Sequence, residues 1–167
     1  MRAFMSSSLP DADDAVPERE GMKAFFVGIY EEMVMAKEDA GERLSRIRHS
    51  MAHVMAEAVL QMFPSAQITI GPAIDNGFYY DFDLPRQLVN EDLEEITERM
   101  KAIIAEGKPF VRTVVSRAEA QKQFADQTYK LELLQAIPED EDVSLYSQGG
   151  FTDLCRGPHV ESTKELK

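Results

Sequence analysis

A helix that is apolar on more than one side constrains the fold of this chain most. The helix is predicted from Glu42 to about Phe63, and Pro64 ends the run. Its apolar residues recur at helical spacing: Ile47, Met51, Met55, Ala58, Val59 and Met62. Few of the central positions are polar, so we expect both sides of the helix to be buried. The rest of the chain must therefore provide the surfaces that cover it.

The segments after this helix alternate between strand-like and helix-like patterns. Asn76-Gly77 is a turn signal, and the alternation of Phe78, Tyr80 and Phe82 with polar or exposed neighbours predicts a half-buried hairpin strand. Other short β-branched or apolar runs predict strands at Ala66–Ile70, Phe110–Val115, Val143–Tyr146 and Phe151–Cys155.

Three further helices are predicted from their end signals and apolar spacing. Asn90 is placed to cap a helix with an apolar stripe that includes Leu93, and Gly107 is placed to end it. Ser116 and Glu119 form a capping box for the next helix, and Tyr129–Ala136 predicts the last. Together the patterns predict an α+β fold, with a long buried helix packed on a mixed, largely antiparallel sheet and further helices.

The first 42 residues are expected to form a separate leader or linker. Met1–Glu20 is rich in Ser, Pro and Asp, and Gly21–Ala40 has the spacing of an amphipathic helix. The charged residues from 1 to 42 are ten acids and four bases. Residues 43–167 are therefore expected to be the functional domain, and they are the less acidic part of the chain.

Composition limits the kinds of protein that this chain can be. The net charge of −12 argues against tight, autonomous binding of DNA or any other nucleic acid, which needs clustered Lys and Arg. No apolar run approaches the length of a membrane span, and Met1–Pro10 does not resemble a secretory signal, so a cytoplasmic protein is expected. The single cysteine, Cys155, excludes an intrachain disulfide.

All three histidines and the one cysteine fall into two pairs with the same spacing. His49 and His53 lie one turn apart on the long helix, and Cys155 and His159 flank a Gly-Pro bend after the last strand. The pairs could be satisfied polar groups and core filler. If they meet, however, they could form a tetrahedral zinc site, or a metal-free hydrolytic site in which imidazoles position water. The residue types alone leave these alternatives open.

Several colinear strings give a specific resemblance from about Arg43 to the end of the chain. They are Arg48-His49-Ser50-Met51-Ala52-His53, Ile70-Gly71-Pro72, Gly77-Phe78-Tyr79-Tyr80-Asp81-Phe82, Tyr129-Lys130-Leu131-Glu132, Leu145-Tyr146 and Asp153-Leu154-Cys155-Arg156-Gly157-Pro158-His159. In order and content they resemble the editing domain of bacterial threonyl-tRNA synthetases. Alanyl-tRNA editing domains are similar and hold zinc.

The resemblance implies an ester hydrolase that removes serine from mischarged threonine tRNA, with the 3′ adenosine placed between the long helix and the sheet. It implies a core constellation of His49, His53, Cys155 and His159. Lys130 and Asp153 would assist catalysis, and Gly71 and Tyr80 would wall the substrate pocket. The threonyl branch implies no cofactor, so we expect a site without metal, with zinc on the four core residues as the less favoured alternative.

The implied partners are the acceptor end of the tRNA and the remaining domains of a synthetase. The aminoacylation part, with its ATP site, is not expected in these 167 residues, and the editing domain itself is expected to be truncated at its C-terminal end. Two alternatives stay open: a non-catalytic module that binds tRNA or a synthetase, and an alanyl-type, zinc-dependent editing domain. A third interpretation makes the four residues a structural zinc site.

Editing would be needed because serine keeps the hydroxyl of threonine and lacks only a methyl group. One methyl group is worth roughly 1–3 kcal/mol in a binding pocket, which is too little for accurate selection. A second site that excludes the larger threonine by its size would complete the discrimination.

Overall fold

A computed structural model describes the backbone of residues 19–166 and the side chains of residues 40–166. The predicted leader Met1–Glu20 lies almost wholly outside the described residues. The chain divides into two compact units, Met1–Asp39 and Ala40–Lys167, and the site lies in the second. The predicted functional boundary after residue 42 stays a prediction.

The first helix, α1, spans Arg19–Met62, where the sequence predicted two separate helices. No proline falls between the two predicted segments. Gly41 is the weakest helix former there, and a glycine costs only about 1 kcal/mol relative to alanine inside a helix, which is too little to end it.

Within residues 19–166, seven short strands form three separate antiparallel sheets rather than one mixed sheet. They pair as β1 with β4, β2 with β3, and β5 with β6 and β7. Their bounds are β1 Gln67–Ile68, β2 Ala73–Ile74, β3 Gly77–Phe78, β4 Phe82–Asp83, β5 Val111–Val115, β6 Val143–Gln148 and β7 Phe151–Leu154. Gly71-Pro72 separates β1 from β2, because proline has no N–H to donate to a ladder. The α+β class is confirmed.

Helix α1 is buried on two sides, as its sequence predicted. On one side Val54, Ala58 and Val59 pack in a core with residues from the rest of the unit, which include Ile96 and Ile103. On the other side Ala52 and Ala56 pack in a second core with Ile68, Tyr80 and Phe151. The small side chains of Ala52 and Ala56 let the strands approach the helix closely. The site residues on the strands therefore lie next to those on the helix.

Helix α2, Asn90–Glu106, begins differently from the prediction. Val89 is the N-cap, and its N–H donates to Asp92 Oδ2 over 2.9 Å. The Arg86 guanidinium also binds Asp92 through both oxygens, which holds the pKa of that carboxyl below its usual range. The prediction that Asn90 caps the helix is therefore wrong. Leu93 is 53% exposed and lies off the buried stripe, whereas Gly107 ends the helix with φ 65° as predicted.

Two short helices follow β5. Helix α3 spans Arg117–Gln123 and begins with the predicted capping box of Ser116 and Glu119. Helix α4 spans Thr128–Ala136 and is tied to β1 by two glutamines. Gln127 Oε1 accepts from Ile68 N over 3.0 Å, and Gln67 Oε1 accepts from Thr128 N over 2.7 Å. These bonds bring α4, and with it Lys130, against β1. A short 3₁₀ helix, Thr163–Glu165, follows β7 and the site.

Candidate active site

One face of α1 carries the first two candidate residues. His49 and His53 are separated by one helical turn, so both side chains project to the same side. Their rings meet edge to face with centroids 5.3 Å apart. His53 is 2% exposed, whereas His49 is half-buried and lies nearer to solvent.

The other two residues are placed by the corner that follows β7. The Cys155 N–H donates to Ser144 O over 3.1 Å, and the Ser144 hydroxyl donates to Cys155 O over 2.7 Å, so the backbone stays fixed beside β6. Gly157 then takes φ 75° and donates its N–H to Cys155 Sγ over 3.2 Å. A side chain at Gly157 would overlap Tyr146, so this corner requires glycine.

The structure brings all four side chains together. Cys155 Sγ lies 3.4 Å from His49 Nε2 and 3.3 Å from His159 Nε2. The ring centroids of His49 and His53 lie 4.1 and 4.2 Å from that of His159. One ligand atom from each of the four residues falls within 4.8 Å of all the others. The helix pair and the corner pair therefore form a single cluster.

Two of the histidines bind a protein partner through their outer ring nitrogen, the one that faces away from the cluster. His49 Nδ1 lies 3.2 Å from Pro158 O, which can only accept, so this nitrogen carries the proton. His159 Nδ1 lies 3.0 Å from the hydroxyl of Ser50, a fully buried residue that also accepts from Val160 N. Both Nε2 atoms consequently point inward. Metal-binding histidines usually have an outer hydrogen bond of this kind.

The expectation of a site without metal is contradicted by this arrangement. Three imidazoles and one thiol are a good ligand set for tetrahedral zinc, which separates its ligands by roughly 3.3–3.7 Å. The sulfur-to-nitrogen distances of 3.3 and 3.4 Å match that spacing. The four residues fit zinc, and the metal-free expectation is corrected on this ground.

Burial controls the charge of the cluster. It lowers the pKa of His53 to about 3, with help from His49 once that ring is protonated and from the positive charge of Lys130, and it lowers the pKa of His159 and His49 as well. Burial also raises the pKa of the Cys155 thiol to about 11. At pH 7 the three imidazoles are therefore neutral with lone pairs to offer, and the thiol keeps its proton until something displaces it.

Zinc binding at pH 7.5 is expected to release about one proton per metal ion, because only the Cys155 thiol must lose one. The neutral histidines have none to lose at this pH. Isothermal titration of zinc into chelator-treated protein, in buffers with different ionisation enthalpies, measures this number. Release of two or more protons would show that the imidazoles are charged, and would contradict the effect assigned to burial.

A second polar network lies beside the cluster. The Lys130 ammonium is fully buried; it pairs with the Asp153 carboxylate and donates to Thr69 O and, over 3.1 Å, to the Tyr80 hydroxyl. Tyr80 donates to Asp153 Oδ2 over 2.6 Å, and that oxygen lies 3.6 Å from His53 Nε2. Burial, with the Asp153 charge, raises the pKa of Tyr80, which stays neutral. Asp153 thus links Lys130 and Tyr80 to the cluster.

Two openings meet at the cluster. A cavity of about 210 Å³ is lined by Gly71, Asp153 and Arg156, among others, and includes His49, His53 and Cys155 in its wall. A wider groove of about 470 Å³ is lined by Ser45 and Arg46 on α1 and by Ala73 and Pro158 across from them. The cavity and the groove share three lining residues: His49, Pro72 and Gly157. A ligand can therefore occupy both at once.

Gly71 and Tyr80, predicted as pocket walls, are in direct contact. A Cβ on Gly71 would overlap the Tyr80 ring, would come 2.7 Å from its Cε2, and would lie 3.0 Å from Ala52 Cβ. Because Tyr80 is held by Asp153 and Lys130, the ring has little freedom to move away. The wall of the cavity is consequently rigid at this point.

Gly71→Ala is therefore expected to destabilise the fold by about 1–3 kcal/mol, the usual effect of overpacking a filled interior. Urea denaturation of the variant and the parent measures the difference. Gly77→Ala is the matched control, because a Cβ there meets nothing within 4 Å. Equal stability of the two variants would contradict the rigid contact between Gly71 and Tyr80.

Three residues of the site have no counterpart in the sequence-based predictions. Ser50 binds His159 from within the helix, and Glu57 and Gln148 lie next to His53. Helical spacing could have indicated Glu57, which is one turn beyond His53 on the same face. A buried serine between two histidines was a weaker signal, and Gln148 had none.

Comparisons with known proteins show which proteins this chain resembles. Residues 143–167 match the family model described as "Threonyl and Alanyl tRNA synthetase second additional domain". The chain is 61% identical over 124 residues to a threonine–tRNA ligase of Dehalococcoides mccartyi, which covers 74% of this chain. It is 50% identical over 136 residues, or 81% of the chain, to that of Treponema pallidum, and 56% identical over 127 residues, or 75%, to that of Oleidesulfovibrio alaskensis.

Over residues 143–167 the chain carries the threonyl and alanyl tRNA synthetase second additional domain. The chain is homologous to the N-terminal region of threonine–tRNA ligases. The matched region spans about a fifth of these relatives, 21% in Dehalococcoides mccartyi, 23% in Treponema pallidum and 20% in Oleidesulfovibrio alaskensis. Among the described residues, no helix is both long enough and apolar enough to cross a membrane.

Proposed function

We propose that this chain hydrolyses the ester bond of threonine tRNA that has been mischarged with serine. The observation that carries the proposal is the cluster of His49, His53, Cys155 and His159 at the junction of a small cavity and an open groove. The similarity to threonine–tRNA ligases, at 50–61% identity, favours mischarged threonine tRNA over mischarged alanine tRNA as the substrate.

The two openings suit the two parts of the substrate. The seryl group is small enough for the cavity of about 210 Å³, and the terminal adenosine suits the wider groove of about 470 Å³. The ester between them would then lie beside His49, which lines both spaces. Among the residues that line the cavity, Asp153 is the one acid, and its carboxylate is suited to pair with the α-ammonium of the aminoacyl group.

Hydrolysis adds water to the ester carbonyl carbon and breaks the bond to the ribose oxygen, which takes up a proton. His49 is the best-placed residue of the cluster to accept the proton of that water. It is half-buried, and the Pro158 carbonyl and Asp153 oppose the effect of burial on its pKa, so it remains the most basic of the three neutral imidazoles. The neighbouring ribose hydroxyl assists in orienting the water.

Lys130 acts through Asp153 in this proposal. The ammonium has three N–H donors, and it is directed at three protein acceptors: Asp153, Thr69 O and the Tyr80 hydroxyl. It therefore holds the carboxylate and the pocket wall in place. Zinc held by three of the four residues, His53, Cys155 and His159, would keep one position open. It would supply Lewis-acid polarisation to the same ester there and would leave His49 free to act as the base.

Size would provide the selection against threonine. The extra methyl group of a threonyl ester would meet the cavity wall at Gly71, and the Tyr80 ring packed directly behind Gly71 would keep that wall from yielding. A steric wall of this kind rejects the larger group, and it complements a synthetic site that cannot reject the smaller one.

The proposal restricts this chain to the acceptor end of the tRNA. A net charge of −12 is unfavourable for wide contact with phosphates, so most of the affinity for tRNA would come from other domains of a synthetase. Those domains are therefore partners of this chain in the proposal, and they would also carry the ATP-dependent aminoacylation for which the relatives are named.

Incubation of the chain with seryl and threonyl esters of threonine tRNA tests the proposed function. We expect release of serine to exceed release of threonine by at least about tenfold, since the barrier is the exclusion of one methyl group. Lys101→Met, a change on the exposed face of α2, should behave as the parent. Equal release of both amino acids, or release of neither, would contradict the proposal.

A zinc-stabilised binding module is a second candidate, because four protein ligands leave no open position on the metal, as is usual in structural sites. In that case removal of zinc would unfold the domain. Circular dichroism before and after chelation distinguishes the two functions: a folded, metal-free domain supports the hydrolase, and unfolding supports the binding module.

A further inference from the structure

The face of α1 that carries the histidines continues to Glu57, one turn beyond His53. Across from it lies Gln148, the last residue of β6 and 1% exposed. The Gln148 Nε2 donates to Glu57 Oε2 over 3.4 Å. Burial raises the pKa of the Glu57 carboxyl, and the Gln148 amide and the backbone of Gly150, in the turn that follows β6, oppose this effect. Glu57 thus ties the end of the hairpin to the helix.

Two buried atoms beside this contact lack a hydrogen-bond partner: Gln148 Oε1 and His53 Nδ1. Gln148 is also close enough to His53 to oppose, as a hydrogen-bond partner, the lowering of its pKa by burial. Buried polar atoms are rarely left unpaired, so these two are each other's natural partners.

The donors and acceptors can be assigned along this chain of contacts. An ionised carboxylate only accepts, so Glu57 must face the NH₂ of the Gln148 amide. The amide oxygen of Gln148 is then turned toward His53, and an oxygen can only accept. His53 must therefore carry its proton on Nδ1. In a neutral imidazole this leaves Nε2 with a free lone pair, on the side where Asp153 lies 3.6 Å away.

We propose that Gln148, anchored by Glu57, is a positioning residue that fixes the orientation and tautomer of His53 and so presents a bare Nε2 to the cluster. It would bind the Nδ1 of His53, as Pro158 O binds the Nδ1 of His49 and as the Ser50 hydroxyl binds the Nδ1 of His159. Each histidine of the cluster then has one outer hydrogen-bond partner, and His49 and His53 each have an inner lone pair. The inference rests on the proposed function only for its effect on hydrolysis.

The first test reads the tautomer directly. Full-length chain labelled with ¹⁵N-histidine and freed of metal should show His53 protonated at Nδ1 in its nitrogen chemical shifts. Gln148→Met, which keeps the length of the side chain and removes the acceptor, should shift His53 to a mixture with the Nε2-protonated form. An Nε2-protonated His53 in the parent, or an unchanged spectrum in the variant, would overturn the inference whether or not the chain hydrolyses any ester.

The second test uses zinc alone as the probe. Gln148→Met should weaken zinc binding by about 10–100-fold, the usual effect of losing an outer partner of a ligand. Gln135→Met makes the same substitution at an exposed position of α4 and should leave the affinity unchanged. If hydrolysis is observed, kcat should fall in Gln148→Met with little change in KM. Equal zinc affinity in both variants would count against the role of Gln148.

A charge swap keeps the inference testable if Gln148→Met does not fold. In the double variant Glu57→Gln with Gln148→Glu, the new amide at 57 donates to the new carboxylate at 148, whose other oxygen accepts from His53 Nδ1. The Nδ1-protonated form and zinc affinity within about threefold of the parent should both return. A purely packing role for Gln148 predicts no such rescue, and failure of the folded double variant to restore the tautomer would overturn the proposal.

Discussion

Lys130→Met is expected to lower the free energy of unfolding by about 3–5 kcal/mol, the usual effect of removing one partner of a buried ion pair. Lys130 is fully buried and Asp153 is 2% exposed, so the variant leaves a carboxylate without its ammonium in a dry interior. Lys101→Met is the control, since Lys101 is 66% exposed and its pair with Glu98 is worth at most about 1 kcal/mol. Urea denaturation compares the two variants.

The double variant Lys130→Met with Asp153→Asn separates charge from packing. Asparagine removes the unpaired charge and can still accept from the Tyr80 hydroxyl, so much of the lost stability should return. If Lys130→Met alone is no less stable than Lys101→Met, the ion pair does not hold the site together. The role of Lys130 in fixing Asp153 would then have to be abandoned.

Cys155→Ala is expected to weaken zinc binding by more than about 100-fold, because even an outer partner of a ligand is worth about 10–100-fold. Release of serine from mischarged tRNA should fall at least about 100-fold in the same variant if zinc serves the reaction. Cys155 is half-buried and has no ion pair, so the fold should persist. Zinc titration and single-turnover hydrolysis measure the two effects.

Ser147→Ala serves as the control for Cys155→Ala. Ser147 lies in the same hairpin, and its hydroxyl bonds only to Thr152 across the ladder, away from the cluster. Both zinc affinity and hydrolysis should match the parent. Unchanged zinc affinity in Cys155→Ala would show that the thiol is not a ligand, and the correction in favour of zinc would fail.

Local patterns in the sequence were enough for the parts of the fold that depend on neighbouring residues. Helical spacing predicted the buried part of α1, and the capping box predicted the start of α3. The start of α2 was mispredicted because the Arg86 guanidinium positions Asp92 to accept from the Val89 N–H, so that Val89 rather than Asn90 is the N-cap. The division into three small sheets also escaped prediction, since it depends on where Gly71-Pro72 interrupts the pairing.

The members of the site were predictable, but its chemistry was not. The two pairs of His and Cys were visible as residue types at matching spacing, and the resemblance indicated that they meet across more than 100 residues of chain. The preference against metal came from the resemblance to the threonyl branch. It failed because zinc binding depends on the distances between the four side chains, which the sequence does not give. Ser50 and Gln148 were missed because their importance lies in a single hydrogen bond to a partner remote in sequence.

A crystal structure with a non-hydrolysable analogue, in which serine is joined to 3′-amino-adenosine by an amide, tests the central claim most directly. The account predicts that the seryl group lies in the cavity against Gly71 and Asp153, with the amide beside His49 and the adenosine in the groove lined by Arg46. An analogue bound away from the cluster of His49, His53, Cys155 and His159 would contradict it.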